Sequence, residues 1–94
     1  MKAIVRRIYV EEGKRYAEIE VLWDQPRALP FEYLRIYRLL LKTDNKVIPC
    51  EACFIIGLRE GKLAYWFLVY DPPASLRKGM ELHIIRSERV MKNA

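Results

Sequence analysis

FEYLRIYRLLLK, residues 31–42, runs directly into Thr43-Asp44-Asn45 and then into KVIPCEACFII, and the fold class turns on how it is read. At 100° per residue Glu32, Arg35, Arg38 and Lys42 fall on one side, and Tyr33, Leu34, Ile36, Tyr37, Leu40 and Leu41 on the other. Pro30 would suit the first turn of such a helix. At period two the same residues make a strand, with Phe31, Tyr33, Tyr37, Leu39 and Leu41 facing inward and Arg35 as the exception. The three polar residues that follow favour the second reading. Asp and Asn readily take the left-handed conformations of tight turns, so LLLKTDNKVIP reads as strand–turn–strand. The helix remains the alternative.

The flanks agree with a β protein. EEGK at 11–14 separates AIVRRIYV from RYAEIEVLW, and REGK at 59–62 separates CFIIGL from LAYWFLVY. A Gly in a short polar break between β-branched and aromatic runs predicts a hairpin. Pairing about Glu12-Gly13 sets Arg7 opposite Glu18, Tyr9 opposite Tyr16 and Ile8 opposite Ala17, with Ile4, Ile8, Ala17, Ile19 and Val21 on the buried face. LAYWFLVY is apolar on both faces and predicts a central strand covered on both sides. DQPRALP at 24–30 and DPPASLRKG at 71–79 are loops by their prolines, and MELHIIRSERV at 80–90 begins with Met80, Leu82 and Ile84 on one side. The expected fold is all-β, an antiparallel sandwich or barrel of about six strands. A helix at 31–42 would make it α+β in the order ββαβββ.

Ninety-four residues make one domain, 1–94, and 52% hydrophobic residues are enough for a core of its own. The longest apolar run, LAYWFLVY, is far shorter than the ~20 residues that span a bilayer, and 31% of the residues are charged, so no membrane partner is expected. MKAIVRR has no apolar segment ahead of its arginines, which points to a cytoplasmic protein. One Gln, two Asn, two Ser and one Thr, against seventeen Lys plus Arg and twelve Asp plus Glu, is the composition expected of a thermophilic chain.

VIPCEACFII places Cys50 and Cys53 three apart. Metal and redox uses need both sulfurs to point to one place, whereas strand residues three apart face opposite ways, with Cα atoms ~10 Å apart at ~3.3 Å per residue. That exceeds the ~7 Å reach of a disulfide. A zinc site also needs four ligands, and the chain holds two Cys and one His, His83. A site shared between two chains would supply four cysteines. The cysteines are therefore read as small buried hydrophobes, with no metal and no cofactor expected.

Nor does a catalytic set emerge. There is no Gly-rich phosphate loop, no HExxH and no GxSxG. His83, between Leu82 and Ile84, reads as an outward strand residue rather than the base of Cys50 or Cys53. Glu11-Glu12 and Glu18/Glu20 read as solvated turn and strand residues.

A net charge of +5 and a pI near 9.4 favour an anionic partner, nucleic acid or a ribonucleoprotein first. The candidate binding motif is YLRIYR. In a strand Tyr33, Arg35 and Tyr37 line one face as stacking platforms around a cation, with Arg38 opposite. In a helix Arg35, Arg38 and Lys42 form a stripe for phosphates. If the strands run up and down, the turns at 11–14, 43–45 and 71–79 meet at one end, adding Arg77 and Lys78 to Lys14, Arg15, Lys42 and Lys46, diluted by Glu11, Glu12, Asp44 and Asp71. The expectation is a non-enzymatic binding module for nucleic acid. Its competitor is a protein-interaction module or homodimer that uses a sheet edge or the Pro-Pro loop with Leu76, and a metal or redox protein comes third.

Overall fold

The computed structural model describes residues 1–91. In it 31–42 is not a helix but a loop that becomes strand at Ile36. Six strands form, β1 Lys2–Glu11, β2 Lys14–Leu22, β3 Ile36–Thr43, β4 Lys46–Arg59, β5 Lys62–Tyr70 and β6 Glu81–Arg89. Tyr37, Leu39 and Leu41 point inward and are buried, while Arg38 and Lys42 point out. Period two therefore holds over β3, and it fails just before it. Leu34 sits at φ 63°, a left-handed conformation that no helix or strand accepts, fixed by a hydrogen bond from its N–H to Phe54 O (2.8 Å). This break takes Tyr33 and Arg35 off the strand.

The strands close into one antiparallel barrel in the order β1-β2-β5-β4-β3-β6. Three two-residue turns join neighbours. Glu12-Gly13 (φ 50° and 76°) and Glu60-Gly61 (φ 53° and 75°) have both central residues at positive φ, which matches the right-handed twist of the hairpins they join. Asp44 (φ 45°) starts the third, between Thr43 and Lys46. The predicted register of the first hairpin is observed: Arg7↔Glu18, Ile8↔Ala17, Tyr9↔Tyr16.

The other two connections, 23–35 and 71–80, join strands three places apart around the ring, so each must cross an open end of the barrel. Each lays an apolar plug as it crosses. The first inserts Phe31, whose ring centroid lies 4.9 Å from that of Phe67, 5.2 Å from Tyr37 and 5.4 Å from Phe54. Leu76 on the second is 1% exposed and belongs to the core, and Pro72 beside it is fully buried. That crossing is tied at both ends by Asp71 N–H to Arg15 O (3.1 Å) and Gly79 N–H to Val5 O (2.7 Å). The Pro-Pro loop is thus a lid, and neither Leu76 nor Pro72 is available to a partner. Between the plugs Val5, Ile19, Leu39, Leu41, Phe54, Phe67 and Val69 fill the interior, each contributing ~1.5–3 kcal/mol by burial.

Two expectations need correction. A bulge between Val5 and Arg7 reverses the alternation of β1, so Ala3 and Val5 point inward and Ile4 outward, opposite Glu20. β5 is central, between β2 and β4, but only its inner face is covered by a second layer: Trp66 and Leu68 on the outer face are half-buried and Tyr70 is exposed. No helix among the described residues is long and apolar enough to cross a membrane.

Candidate nucleic-acid interface

The residues singled out in YLRIYR do not form a stacking platform. Tyr33 is exposed, in the turn ahead of β3, and Arg35 beside it pairs with Glu32 (3.6 Å). Tyr37 points into the barrel against Phe31, and its hydroxyl accepts a hydrogen bond from Glu32 N–H (2.8 Å). Parity explains this: only one of Tyr37 and Arg38 can face in, and the volume beside the Phe31 plug favours the ring. Arg38 points out and pairs with Glu51 (3.5 Å). Lys42, Arg77 and Lys78 lie at the opposite end of the barrel from Tyr33 and Arg35.

Closure instead builds an aromatic row that YLRIYR gave no sign of. Tyr9, Tyr16 and Tyr70 are consecutive partners across β1, β2 and β5. The rings of Tyr9 and Tyr16 stack at 5.5 Å and 27°, and Tyr70 meets Tyr16 edge-on at 6.2 Å. The Arg7 guanidinium sits 4.2 Å above the Tyr9 ring and 3.6 Å from Glu18. Partial burial, reinforced by Glu18 and Glu11, raises the Tyr9 hydroxyl above its ordinary pKa, and burial beside Cys53 does the same for Tyr70. Both phenols thus stay neutral around physiological pH and keep their hydrogen-bond donors. The Tyr9–Tyr16 pair was legible from the turn at Glu12-Gly13. Tyr70 joins it only because β5, not β3, lies next to β2.

The row runs up to the end of the barrel made by the turns at 12–13 and 44–45 and by the 71–80 crossing. Lys14 and Arg15 share a surface recess with Tyr16 and Tyr70. Arg77 and Lys46 line another with Asp44 and Ser75. Around the corner Lys2, His83 and Lys42 are direct neighbours across β1, β6 and β3. Among the described residues Lys2, Lys14, Lys42, Lys46, Arg77 and Lys78 form no ion pair, whereas Arg6, Arg7, Arg35, Arg38, Arg59 and Arg89 all do. Most of the uncompensated cations thus gather at this end, interspersed with Glu11, Glu12, Asp44 and Asp71. Arg27 and Lys62, at the opposite end, and Arg86 on β6 are likewise in no ion pair among the described residues.

The remaining polar features have structural accounts. Glu20, 7% exposed, faces outward between Ile4 and Trp66. Its Oε1 accepts a hydrogen bond from Arg6 Nε (2.9 Å), which the β1 bulge swings towards it, and lies 2.8 Å from Arg59 Nε. The second contact is Coulombic, because the Arg59 N–H has no aligned acceptor. Cys50 packs inward opposite Leu39, and Cys53 lies outside the barrel wall, buried opposite Leu68. Burial pushes the Cys50 thiol up to about 11, far from a reactive thiolate. His83 is separated from β4 by the whole of β3. No cluster of three His, Cys, Asp or Glu residues among those described could hold a metal ion. A shallow groove of about 390 Å³ over Leu40 and Pro49 is rimmed by Arg38, Glu51, Arg86 and Glu88, with alternating charges that favour neither sign of ligand.

No known protein family matches this chain, and neither a curated protein nor a solved structure shows significant similarity to it.

Proposed function

We propose that the protein is a non-enzymatic module for single-stranded nucleic acid, held on the outer face of β1, β2 and β5 and on the barrel end next to it. The observation that carries this is the Tyr9–Tyr16–Tyr70 row beside the end where most of the uncompensated Lys and Arg side chains collect. The exposed Tyr70 ring and the half-buried Tyr16 beside it offer bases a stacking surface on a rigid sheet, Tyr9 backs them while engaged by Arg7, and cations at the end of the row meet the phosphates. Within this reading Lys42, Arg77 and Lys78 keep the phosphate-contacting role expected of them. Tyr9, Tyr16 and Tyr70 replace Tyr33 and Tyr37 as stacking groups, and Arg35 and Arg38, tied to Glu32 and Glu51, drop to a minor role.

The test is binding of labelled single- and double-stranded DNA and RNA across a salt series. Affinity for single strands should fall as salt rises, because each neutralised phosphate releases counterions and contributes roughly −0.7 to the log–log slope. Tyr16→Ala should weaken single-strand binding by ~1–3 kcal/mol without changing that slope, and Arg77→Ala should flatten it. Absence of binding at low salt, or a preference for duplex untouched by Tyr16→Ala, refutes the proposal.

One observation favours the second reading, a protein-interaction module. The fourteen residues of β4 outrun the barrel, and the end of the β4–β5 hairpin pairs Leu58 with Leu63, 71% and 64% exposed. Association that is unaffected by salt and is lost in Leu58→Ser would support it.

A further inference from the structure

The barrel closes through a short seam. β1 and β6 pair over only three residues each, Lys2–Ile4 with Glu81–His83, continued by a bond from Ile84 N–H to Met1 O (2.8 Å) at one end and from Val5 N–H to Met80 O (3.0 Å) at the other. β6 then continues through Arg89, paired with β3 on one side. Among the described residues nothing pairs with 85–89 on the other. All five are exposed, including Ser87 and Arg89, which lie opposite the inward-facing Leu39 and Tyr37.

The backbone shows which groups the edge offers. Val90 N–H bonds to Ile36 O on β3 (2.9 Å). Antiparallel strands alternate the side to which each residue directs its N–H and C=O, so Glu88 and Arg86 also address β3, and Ser87 and Arg89 address the open side. The register shift at Leu40/Leu41 reverses the alternation, which is why Ile84 reaches Met1. The edge carries neither Pro nor Lys; its charges, Arg86, Glu88 and Arg89, are of the kind that keeps edges apart, except against a partner that sets opposite signs across from them. By contrast, the stretch of β4 that extends past β5, Lys46–Cys50, carries both Lys46 and Pro49.

We propose that this edge pairs with the same edge of a second copy, antiparallel about a two-fold axis at Ser87. The commitment to a second copy rests on charge. In that register Arg86 lies opposite Glu88 of the other chain, twice, on the outer face. Arg89 lies opposite Ile85, and the two Ser87 exchange both backbone hydrogen bonds. Arg86 and Glu88 then form a non-hydrogen-bonded pair, the kind in which opposed side chains approach more closely. The neighbouring registers are worse: centring on Arg86 or on Glu88 opposes like charges, and centring between Ser87 and Glu88 sets Arg86 against Arg89. Neither Arg86 nor Glu88 forms an ion pair within the chain, among the described residues, whereas Arg38 and Arg89 on either side of Glu88 are engaged by Glu51 and Glu32. This dimer does not depend on the nucleic-acid reading: β6 adjoins β1, but it pairs there only with Lys2–Ile4, well short of Tyr9, and 85–89 run on past that seam in the direction away from the tyrosine row.

Sedimentation equilibrium of the full chain tests it. The wild type should show a concentration-dependent dimer. Arg86→Glu alone and Glu88→Arg alone each oppose like charges twice and should weaken it roughly tenfold, given two symmetry-related pairs whose sign reverses. The double variant exchanges the charges and should restore it. Both positions are exposed, so at concentrations where all of them are monomeric the thermal melts of these variants should match the wild type. Hydrogen exchange gives the second readout: the Ser87 and Arg89 amides should become protected as concentration rises. A chain that stays monomeric overturns the proposal. So does a dimer indifferent to Arg86→Glu, or one in which the Ser87 amide exchanges as fast as in the monomer.

Discussion

Leu76→Ala separates two pictures of the 71–80 crossing. In the sequence DPPASLRKG looks like an exposed loop, and Leu76 like a residue that could dock a partner. In the structure Leu76 is 1% exposed and stops one end of the barrel. Truncation to Ala removes three carbons, worth ~2.4 kcal/mol at ~0.8 kcal/mol each, before any cavity is counted. The crossing cannot simply sink into the space. Its ends are hydrogen-bonded to Arg15 O and Val5 O, and the fully buried Pro72 stiffens its start. A residual cavity therefore remains and places the total at ~3 kcal/mol, towards the lower end of measured Leu→Ala losses in cores.

For a domain of this size each kcal/mol is worth ~4–8 °C, so the melting temperature should fall by roughly 12–24 °C in a circular-dichroism melt. The neighbouring Arg77→Ala, on the exposed side of the same loop, is the control and should change stability by less than ~0.5 kcal/mol. The two substitutions should also exchange roles in binding. Arg77→Ala weakens nucleic-acid affinity in the folded protein, and Leu76→Ala leaves it unchanged below its own melting transition. If Leu76→Ala costs no more than Arg77→Ala, the crossing is an ordinary surface loop and the plugged-barrel account is wrong.

Glu20→Ala should destabilise the chain by about 1–2 kcal/mol in urea denaturation, less than the ~3–5 of a fully buried pair, because Arg6 and Arg59 keep 34% and 39% of their side chains in solvent. An unchanged midpoint would mean that the pairs contribute nothing net. Stability should also fall at alkaline pH. The Cys50 thiol ionises near 9 when unfolded but only at about 11 when folded, so its contribution is intact below pH 9 and is lost as pH rises to about 11. The loss approaches about 2–3 kcal/mol at ~1.4 per pH unit, and Cys50→Ala should flatten that part of the pH–stability profile. A profile with the same slope in both proteins would place the alkaline loss elsewhere.

What the sequence disclosed was local. EEGK and REGK announce their hairpins because the Gly of a short polar break supplies the positive φ that a two-residue turn demands, the Glu before it being drawn into the same region. The register of β1 against β2 follows from that turn alone as far as Arg7. The strand at 36–43 was legible from Asp44-Asn45 behind it rather than from its own apolar pattern, which a helix fits equally well. Long-range facts were hidden. The bulge that turns Ile4 outward leaves no mark in a row of β-branched residues, and only the partner strand shows that Arg6 is the extra residue. Leu76 could not be recognised as core from a loop rich in proline and cations, because its burial depends on β5 and β6 being opposite one another in the ring. The candidate site suffered most for the same reason. Its cations were nameable from the turns that carry them, but its third tyrosine comes from a strand whose neighbour no local signal specifies.

The proposed function singles out the tyrosine row from the other apolar groups on the outside of the barrel because of what those others do. The interior is already filled by Phe31, Tyr37, Phe54 and Phe67, and the outward residues of β5 are not needed there. Trp66 nevertheless has a packing role. Its indole lies along β4 over Gly57, where a Cβ would stand in ordinary contact at 3.6 Å from its Nε1, and its register partner Glu20 holds two arginines. Leu68 covers Cys53 from the next strand and lies between it and Glu18, itself paired with Arg7. Tyr9, Tyr16 and Tyr70 have mainly each other and the Arg7 guanidinium. A Val or Thr at each position would suit a solvated strand at least as well, without exposing aromatic surface to water. Under the proposed function their aromatic surface, most open at Tyr70, adjoins a barrel end supplied with unpaired positive charge, so that base and phosphate would be met together there.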